Sequence, residues 1–242
     1  MPGFRPPSFS LALAGLWRSL IELGTCLTLL GLGVAIWAPR QDLPWTPLRL
    51  EDPPGLATRW KFAAAVRKPA LCRQVLRSGG VTFTEEPPRR DGVCTTSDAV
   101  RLRSGVTPLA PAAPVMTCRE ALAYAFWDRH AVQPAARQLL QTAVTRVEHF
   151  GTYACRNIYS RAEAPPSQHA SANALDVAGF RTARGERLTI ARGFRAAGAE
   201  GVFLRSVRSG ACPWFSAVLS PDYNAAHADH LHLDQGPWRA CR

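Results

Sequence analysis

The chain has 242 residues, 47% hydrophobic and 19% charged, which excludes disorder throughout and allows one globular domain of ordinary size or two small ones. Its formal net charge is +11, but only Lys61 and Lys68 are lysines, and the arginines are scattered from Arg5 to Arg242. A nucleic-acid-binding protein gathers its positive charge into one patch or helix face, so we expect no nucleic-acid partner; attraction to a polyanion such as a cell wall or a membrane surface stays open.

The first forty residues predict a membrane segment. Residues 23–38 are uncharged and mostly apolar, and they follow a second apolar stretch over 11–17. Together the two stretches reach the roughly 20 residues that span a bilayer as a helix. A cleavable signal peptide ends in a small-x-small site, whereas 36–38 supplies only the final small residue. We therefore expect an uncleaved signal anchor over 1–40, with cleavage as the alternative.

Six cysteines follow this segment, and none of them shows the C-x-x-C spacing of a zinc knuckle or a thioredoxin-like site. An even number of well-spaced cysteines indicates disulfide bonds, which require an oxidising compartment, so we expect the domain to face the periplasm. Spacing alone does not resolve the connectivity. The pairs we expect are Cys72 with Cys94, Cys118 with Cys155, and Cys212 with Cys241. Cys26, inside the apolar segment, is not expected to pair.

Between the anchor and the middle of the chain, prolines and helical patterns alternate. Residues 41–60 are proline-rich and without a sustained period, which predicts a tether that holds a domain over 61–242 off the membrane. A helix is expected over 61–77. The run TCRE at 117–120 has the pattern of a capping box and predicts that a helix begins there and continues to about residue 130.

A second helix is predicted after an interruption at Gln133-Pro134. Pro134 suits the first turn of a helix, and apolar residues recur at helical spacing until Gly151. Both helices are expected to form core, and His130 and His149 at their ends are not expected to bind metal.

After residue 151 the pattern changes to short strands and loops. Strand-like alternation occurs at 152–158, 174–180, 217–219 and 230–233. Two further segments, 188–195 and 205–210, fit either type. Helices followed by a small antiparallel sheet predict an α+β fold, with a helical part packed on a sheet that carries the chemistry.

Four of the six histidines lie in two segments, SQHASANALD at 167–176 and HADHLHLD at 227–234. A catalytic zinc site uses three nitrogen or oxygen ligands and keeps a fourth position for water. His169, Asp176 and one histidine of the second segment can supply those ligands. Alternate side chains of a strand point the same way, so both imidazoles of His230-Leu231-His232 can face one site.

These segments resemble known families. The pattern S-x-H-x-x-x-x-A-x-D followed by D-x-x-H or H-x-H is similar to the LAS group of zinc metallopeptidases, which includes D-Ala-D-Ala dipeptidases and carboxypeptidases, murein endopeptidases and the hedgehog signalling domain. More closely, SQHASANALDVAGF, FLRSVRSGACPWF and PDYNAAHADHLHLD resemble the bacterial extensin-like C-terminal domain over roughly 70–242.

The resemblance implies a role for each histidine and aspartate of the two segments. His169, Asp176 and His232 would bind Zn²⁺. Asp229 stands three residues before His232, where the group places its acidic general base, and His230 and His227 match histidines that line the site. The group has glycine at the position of Ala172, so the backbone there must tolerate a Cβ in this chain.

The same residues support hydrolysis on chemical grounds. Zinc lowers the pKa of its bound water to about 7 and polarises a carbonyl, and a neighbouring base takes the proton. Asp229 and His230 both qualify as that base. On a regular strand, 229 and 232 face opposite sides, so Asp229 serves only from a turn before the strand. We expect Asp229 to be the base, His230 the transition-state stabiliser or alternative base, and His227 a substrate-binding or supporting group.

Four further residues are candidates for binding or orientation. Arg156 could clamp a substrate carboxylate or the oxyanion, with Arg161 as the alternative. Ser167 could bond the ligand loop or the substrate. Asp234 could orient His232 through its second ring nitrogen.

The expected function is a membrane-tethered periplasmic zinc peptidase that cuts peptidoglycan stem peptides or cross-links, as a D,D- or L,D-type endopeptidase or carboxypeptidase. We expect it to be anchored in the inner membrane and monomeric. The alternatives are a zinc-containing module that binds wall peptides without cutting them and a structural envelope protein. Two imidazoles and a carboxylate suit Zn²⁺, although Mn²⁺, Fe²⁺ and Co²⁺ are also compatible.

Overall fold

A computed structural model describes residues 9–242 and begins with one long helix, α1 (Phe9–Trp37). Within α1, the 23 residues Gly15–Trp37 are long and apolar enough to cross a membrane, and none of that stretch is buried against the rest of the described chain. The predicted apolar segment is therefore a helix. Its length and composition fit either a membrane anchor or a signal sequence.

The remaining elements form a mixed α+β domain. The helices after α1 are α2 (Thr58–Val66), α3 (Pro69–Ser78), α4 (Cys118–Trp127), α5 (Gln133–Ala135), α6 (Ile190–Gly193) and α7 (Ala199–Ala211). The strands are β1 (Thr82–Glu85), β2 (Arg89–Asp91), β3 (Cys94–Thr96), β4 (Ala99–Ser104), β5 (Leu109–Ala110), β6 (Val115–Thr117), β7 (Val144–Gly151), β8 (Ala174–Thr182), β9 (Arg187–Thr189), β10 (Ala217–Leu219), β11 (Leu231–Asp234) and β12 (Ala240–Cys241). The α+β class predicted from the sequence is confirmed.

The main sheet is larger than expected, with seven strands in the order β12-β10-β11-β8-β7-β5 and β9 also paired to β8. Most neighbours are antiparallel, but β10 with β12 and β5 with β7 are parallel. A three-stranded sheet, β1-β4-β6, and the hairpin β2-β3 lie outside it. The two segments that carry the histidines thus meet on adjacent strands, β8 and β11, in the middle of the main sheet.

Helix α4 is the centre of the core, and its beginning confirms the predicted cap. Residues 120–127 are all buried, and Thr117 Oγ1 accepts a hydrogen bond from the backbone N–H of Glu120 at 3.3 Å. Trp127 Nε1 donates to the Val207 carbonyl at 2.8 Å, which fixes α4 against α7. The return bond of a capping box is absent, since neither carboxylate oxygen of buried Glu120 has a partner in the described chain. Burial raises the pKa of Glu120 well above its usual value.

The predicted helices differ from the observed ones at three places. The helix expected over 61–77 is two helices, α2 and α3, because the residue before Pro69 is driven out of the helical region. The expected break at Pro134 does not occur, since π-helical turns at Asp128–Val132 and Ala136–Leu140 carry the helical path past it. That path ends at Gln141, so the residues from 144 to 151 are not helical but form β7.

Among the predicted strands, three are confirmed and one is wrong. Residues 174–180 lie in β8, 217–219 are β10, and 230–233 correspond within one residue to β11. The segment 152–158 is a loop, because its backbone bonds to a turn rather than to a strand: the Ala154 N–H donates to the His169 carbonyl at 3.1 Å. Of the two ambiguous segments, 188–195 holds the end of β9 and all of α6, and 205–210 belongs to α7.

The segment predicted as a tether packs on the domain. Leu48 and Leu50 are buried in the hydrophobic core. Lys61 of α2 donates through Nζ to the carbonyl oxygens of Arg40 at 3.1 Å and Leu43 at 3.2 Å. The spaced leucines outweigh the prolines here, because each one buries apolar surface that an extended tether would leave in water. Only a few residues separate α1 from the folded domain.

Three disulfides are present, but two of the expected pairings are wrong. The observed bridges are Cys72–Cys118, Cys94–Cys155 and Cys212–Cys241, of which the last is confirmed. Helix α3 packs against α4 and brings the first pair to a Cα–Cα distance of 6.2 Å; β3 lies beside the loop after β7, where the second pair is 5.6 Å apart. Both distances suit a disulfide, whereas sequence order carried no information on this packing. Cys26 is unpaired within residues 9–242, as expected.

Candidate metal centre

Two of the predicted ligands are brought together by strand pairing. Asp176 on β8 and His232 on β11 are direct partners in the antiparallel register. Side chains at paired positions lie on the same face of a sheet with Cβ atoms about 5 Å apart. Residues far apart in sequence therefore reach one site because β8 and β11 are neighbours.

The third predicted ligand comes from a tight turn just before β8. His169 lies in the 3-10 turn Gln168–Ser171. Ser167 caps this turn, because its Oγ accepts a hydrogen bond from the His169 backbone N–H at 3.3 Å. The turn ends at Ala172, which has the left-handed φ of 54° and is buried. This is the position at which the resemblance implies glycine. The chain therefore keeps the turn with a Cβ in place.

The ligand atoms of the three residues converge. His169 Nε2 lies 3.1 Å from Asp176 Oδ2, and His232 Nδ1 lies 2.9 Å from Asp176 Oδ1. The two imidazole nitrogens are 3.3 Å apart. One ligand atom from each residue falls within 4.8 Å of the others, a spacing that one ion can bridge. The structure thus brings together all three residues predicted to bind metal.

The far sides of both imidazoles are held by acceptors, which leaves the nitrogens that face the cluster to bind an ion. His169 Nδ1 is 3.2 Å from the Thr152 carbonyl, which can only accept, so with a metal bound Nδ1 would carry the hydrogen and Nε2 the lone pair. His232 Nε2 is 2.9 Å from the Asp234 carboxylate, the orienting contact predicted from the sequence. Two imidazole nitrogens and the Asp176 carboxylate form a donor set that fits Zn²⁺ with a fourth position open. The residues present therefore fit the metal.

The charges of the cluster favour a cation at its centre. Burial alone would raise the pKa of Asp176. Hydrogen bonds with His169 and His232 lower it by more than burial raises it, so the pKa lies well below its usual value. Burial lowers the pKa of His232, but its bonds to Asp176 and Asp234 raise it to about 9. In the metal-free chain a proton on His232 thus holds the positive charge that a metal ion would bring.

His230 and Asp229 form a linked pair beside the cluster. Asp229 lies in the turn before β11, which is the condition under which it can serve the site. His230 Nε2 is 3.6 Å from Asp176 Oδ1, and its Nδ1 is 2.9 Å from Asp229 Oδ1. The Asp229 side chain is 56% exposed, against 14% for His230. The imidazole therefore faces the cluster, and the carboxylate contacts its outer side.

His227 completes the group of histidines. It is buried, its ring lies 5.2 Å from that of His230 and 5.9 Å from that of His232, and its Nδ1 is 2.7 Å from Asn224 Oδ1. Burial and the neighbouring charges of His232 and His230 lower the pKa of His227 to about 4. It is therefore a neutral imidazole near pH 7, able to form hydrogen bonds without adding charge.

The two arginines predicted as substrate-binding alternatives make no hydrogen bond or ion pair with the cluster within residues 9–242. Arg156 is exposed on the loop after β7, and its guanidinium has no ion pair within residues 9–242. The guanidinium of the alternative, Arg161, lies 5.7 Å from the centre of the Tyr159 ring. Ser167 bonds the ligand turn, which is one of the two roles left open for it.

Sequence reasoning missed several residues that complete the site. Thr152 acts through its backbone carbonyl, for which no side-chain pattern exists. Asn224 holds His227 and donates through Nδ2 to the Tyr159 hydroxyl at 3.3 Å. Exposed Phe150 packs edge-on against His230, with ring centres 5.9 Å apart. Asn224 lies three residues before His227, a spacing that could have drawn attention to it.

Comparison with known proteins tests the resemblance. The family model described as "Extensin-like protein C-terminus" matches residues 70–242, which is more than half of the chain and includes all three predicted ligands. No curated protein and no solved structure matches. The resemblance to the extensin-like domain is confirmed, and the relation to the LAS group stays a prediction. The chain belongs to the extensin-like C-terminal family.

Proposed function

We propose that this chain is a zinc-dependent peptidase, tethered to the inner membrane by α1 and acting on peptidoglycan peptides in the periplasm. The supporting observation is the convergence of His169, Asp176 and His232, with both imidazoles held by partners on their far sides. A site built only to stabilise the fold would be closed by a fourth protein ligand, whereas a catalytic site keeps a position open. Three convergent ligands with His230 beside them favour catalysis.

Bound zinc would supply a Lewis acid and an activated water. The protein would supply the proton acceptor, and the geometry favours His230 over Asp229 for direct contact, since His230 Nε2 faces the cluster. Asp229 would hold the hydrogen on Nδ1 and stabilise the imidazolium that forms. His227, neutral near pH 7, would donate or accept a hydrogen bond on the substrate side.

The choice of peptidoglycan rests on several independent features. The disulfides require an oxidising compartment, and α1 is long enough to hold the domain at a membrane. The ligand pattern resembles zinc peptidases that act on D-amino-acid peptides. Two exposed aromatic rings lie beside the cluster, with Phe150 next to His230 and Tyr223 next to His227 at a ring distance of 5.5 Å. Exposed rings at this position offer a surface on which a peptide substrate can pack.

The test is digestion of purified peptidoglycan by the zinc-loaded full chain in detergent, with released peptides identified by mass spectrometry. Wild type should release peptides that reveal the bond cut, and His232→Ala should release none. Loss of a general base costs about 10²–10⁴ in rate, so His230→Gln should fall into that range and lose more than Asp229→Asn. Arg146→Gln, on the exposed face of β7, is the matched control and should keep wild-type activity.

The outcomes separate the alternatives. If zinc-loaded wild type binds peptidoglycan but releases nothing, the peptidase proposal is overturned and the chain is a binding module. If Asp229→Asn loses more activity than His230→Gln, Asp229 itself is the base, as the sequence alone predicts. If both variants keep full rates, the proton acceptor lies elsewhere.

A further inference from the structure

A polar cavity lies outside the candidate metal centre, on the far side of the segment that follows Asp234. It is a cleft of about 620 Å³ between α2, the start of α4 and the C-terminal segment before β12, and none of the three predicted metal ligands lines it. Its floor is aromatic: the rings of Phe62 and Trp214 are buried there in an edge-on contact with centres 5.3 Å apart. Helix α2 ends before residue 70, so one wall lies outside the family match.

The rim of this cleft is strongly basic. Four arginines line it, and the acidic residue among its lining is Asp98. The four arginines are Arg59, Arg67, Arg119 and Arg239. None of them makes an ion pair or a side-chain hydrogen bond with any residue that the structure describes. Guanidinium groups gathered without partners favour an anion, which they can bind by paired N–H···O bonds.

Elsewhere on the surface, arginines are gathered around acids. Four carboxylates each hold two guanidinium groups within 4 Å. They are Glu85, Glu86, Glu148 and Asp222. The ratio of guanidinium groups to carboxylates is higher in the cleft, where four arginines and one aspartate line the same cavity and form no ion pair with one another. The positive charge of the cleft is thus left for a ligand from outside the domain.

The cleft is built on the first helix after the membrane segment. Helix α1 ends at Trp37, and the Arg40 carbonyl already contacts Lys61 of α2. Three residues of extended chain span at most about 10 Å, so α2 lies near the end of α1. Trp60, beside Arg59, is 64% exposed, and Trp238, beside Arg239, is 81% exposed. Exposed tryptophans next to basic residues are typical of surfaces that meet lipid headgroups.

We propose that this cleft binds the phosphate of an anionic phospholipid headgroup from the membrane that α1 enters. The inference rests on the part of the proposed function in which α1 stays in the membrane, but not on catalysis. Arg59 of α2 and Arg239 of the C-terminal segment would both bind the phosphate, and the flanking tryptophans would lie at the headgroup level. The domain is thereby held at the bilayer by a second contact besides the helix.

The test uses the full chain in detergent and measures binding of short-chain phosphatidylglycerol, short-chain phosphatidylcholine and inorganic phosphate by native mass spectrometry. Wild type should bind phosphatidylglycerol roughly tenfold more tightly than phosphatidylcholine, and Arg59→Gln with Arg239→Gln should remove that preference. The control, Arg90→Gln with Arg146→Gln, removes the same charge from two exposed arginines outside the cleft and should keep the preference.

Three results would overturn the proposal. Equal affinity for phosphatidylglycerol and phosphatidylcholine would show that the cleft does not select an anionic headgroup. Inorganic phosphate bound as tightly as phosphatidylglycerol would make a soluble phosphate the ligand. If the control variant lost the preference for phosphatidylglycerol to the same extent, the preference would come from the net charge of the protein and not from the cleft. Because peptidoglycan digestion is a separate readout, failure here leaves the peptidase proposal standing, and failure of digestion leaves this one standing.

Discussion

The metal centre and the arginine cleft contain charged groups in opposite arrangements. In the metal centre each carboxylate contacts an imidazole: Asp176 meets His169 and His232, Asp229 meets His230, and Asp234 meets His232. In the cleft, four guanidinium groups have no acidic partner within the described chain. The first arrangement surrounds the place of a cation with acceptors, and the second presents donors to an anion. The partners of a charged residue, more than its type, thus indicate the ligand.

The largest effect is expected from replacing Asp176, the carboxylate at the centre of the candidate metal site. Asp176→Asn keeps the shape of the side chain but removes the negative charge from the centre of the cluster. Loss of supporting groups around a metal ligand already lowers affinity about 10–100-fold, so loss of this ligand should lower zinc affinity by more than about 100-fold. Elemental analysis of the purified full chain and a competitive chelator titration measure this. Asp98→Asn, which removes the carboxylate of the cleft, should leave zinc content unchanged; equal loss in both variants would contradict the site.

The next largest effect is expected in the stability of the metal-free chain, which should depend on pH. The pKa of His232 is raised from 6.5 to about 9, so its contribution to stability is full below about pH 6.5 and is lost as the pH rises through 9. The pKa of Asp176 is lowered from 3.8, so its contribution is present above that value and is lost in acid. The chelated chain should be most stable between these limits and should lose up to about 3 kcal/mol by pH 9.

Denaturant unfolding of the chelated full chain at about pH 6 and about pH 9 measures this loss. His232→Gln should flatten the dependence. Saturating zinc should reverse its sign, because the metal binds the deprotonated imidazole and protons compete with it. A chelated wild type that gains stability towards pH 9 would show that His232 is not protonated in the fold.

A smaller effect is expected at Asp234, which contacts only the far nitrogen of His232. Asp234→Asn keeps an oxygen that can accept from Nε2 but removes the charge that makes the ring a stronger ligand. Zinc affinity should fall about 10–100-fold while the protein still binds zinc at millimolar metal. The chelator titration used for Asp176→Asn measures both. A loss as large as that of Asp176→Asn would make Asp234 a ligand in its own right.

The sequence predicts the convergence of the candidate ligands better than the fold around them. His169, Asp176 and His232 could be expected to meet because the predicted metal site restricts residue type and spacing, and Thr117 could be predicted as a cap because a cap needs a hydroxyl there. The sequence predicts helix for residues 144–151 because a β-bulge shifts the register of β7 between Val144 and Arg146, so that Val144 and Val147 are buried three residues apart. That interval is one that a helix also shows.

The disulfides and the arginine cleft show what sequence reasoning lacks. Cys72 pairs with Cys118 because α3 packs on α4, and no local pattern marks that packing between cysteines 46 residues apart in sequence. The arginines of the cleft come from α2, α4, the C-terminal segment and the turn between α2 and α3, so no local run of basic residues marks them. Scattered positive charge in the sequence is therefore compatible with a concentrated patch on the surface.

The smallest effect is expected when two arginines of the cleft are removed. Arg59→Gln with Arg67→Gln deletes two guanidinium groups that hold nothing in the fold, so the free energy of unfolding should stay within about 0.5 kcal/mol of wild type. Any change should be a gain, since like charges in one cleft repel, and it should vanish at high salt, where the Debye length is short.

Glu148→Gln is the contrast variant. Burial raises the pKa of Glu148, but bonds to Arg187 and Arg181 lower it by more, so the carboxylate is held charged. Its loss should cost up to about 1 kcal/mol. Thermal unfolding of the full chain at low and high salt compares the two variants. If the arginine variant were the less stable one, the guanidinium groups would be part of the fold, and the distinction between the two sites would fail.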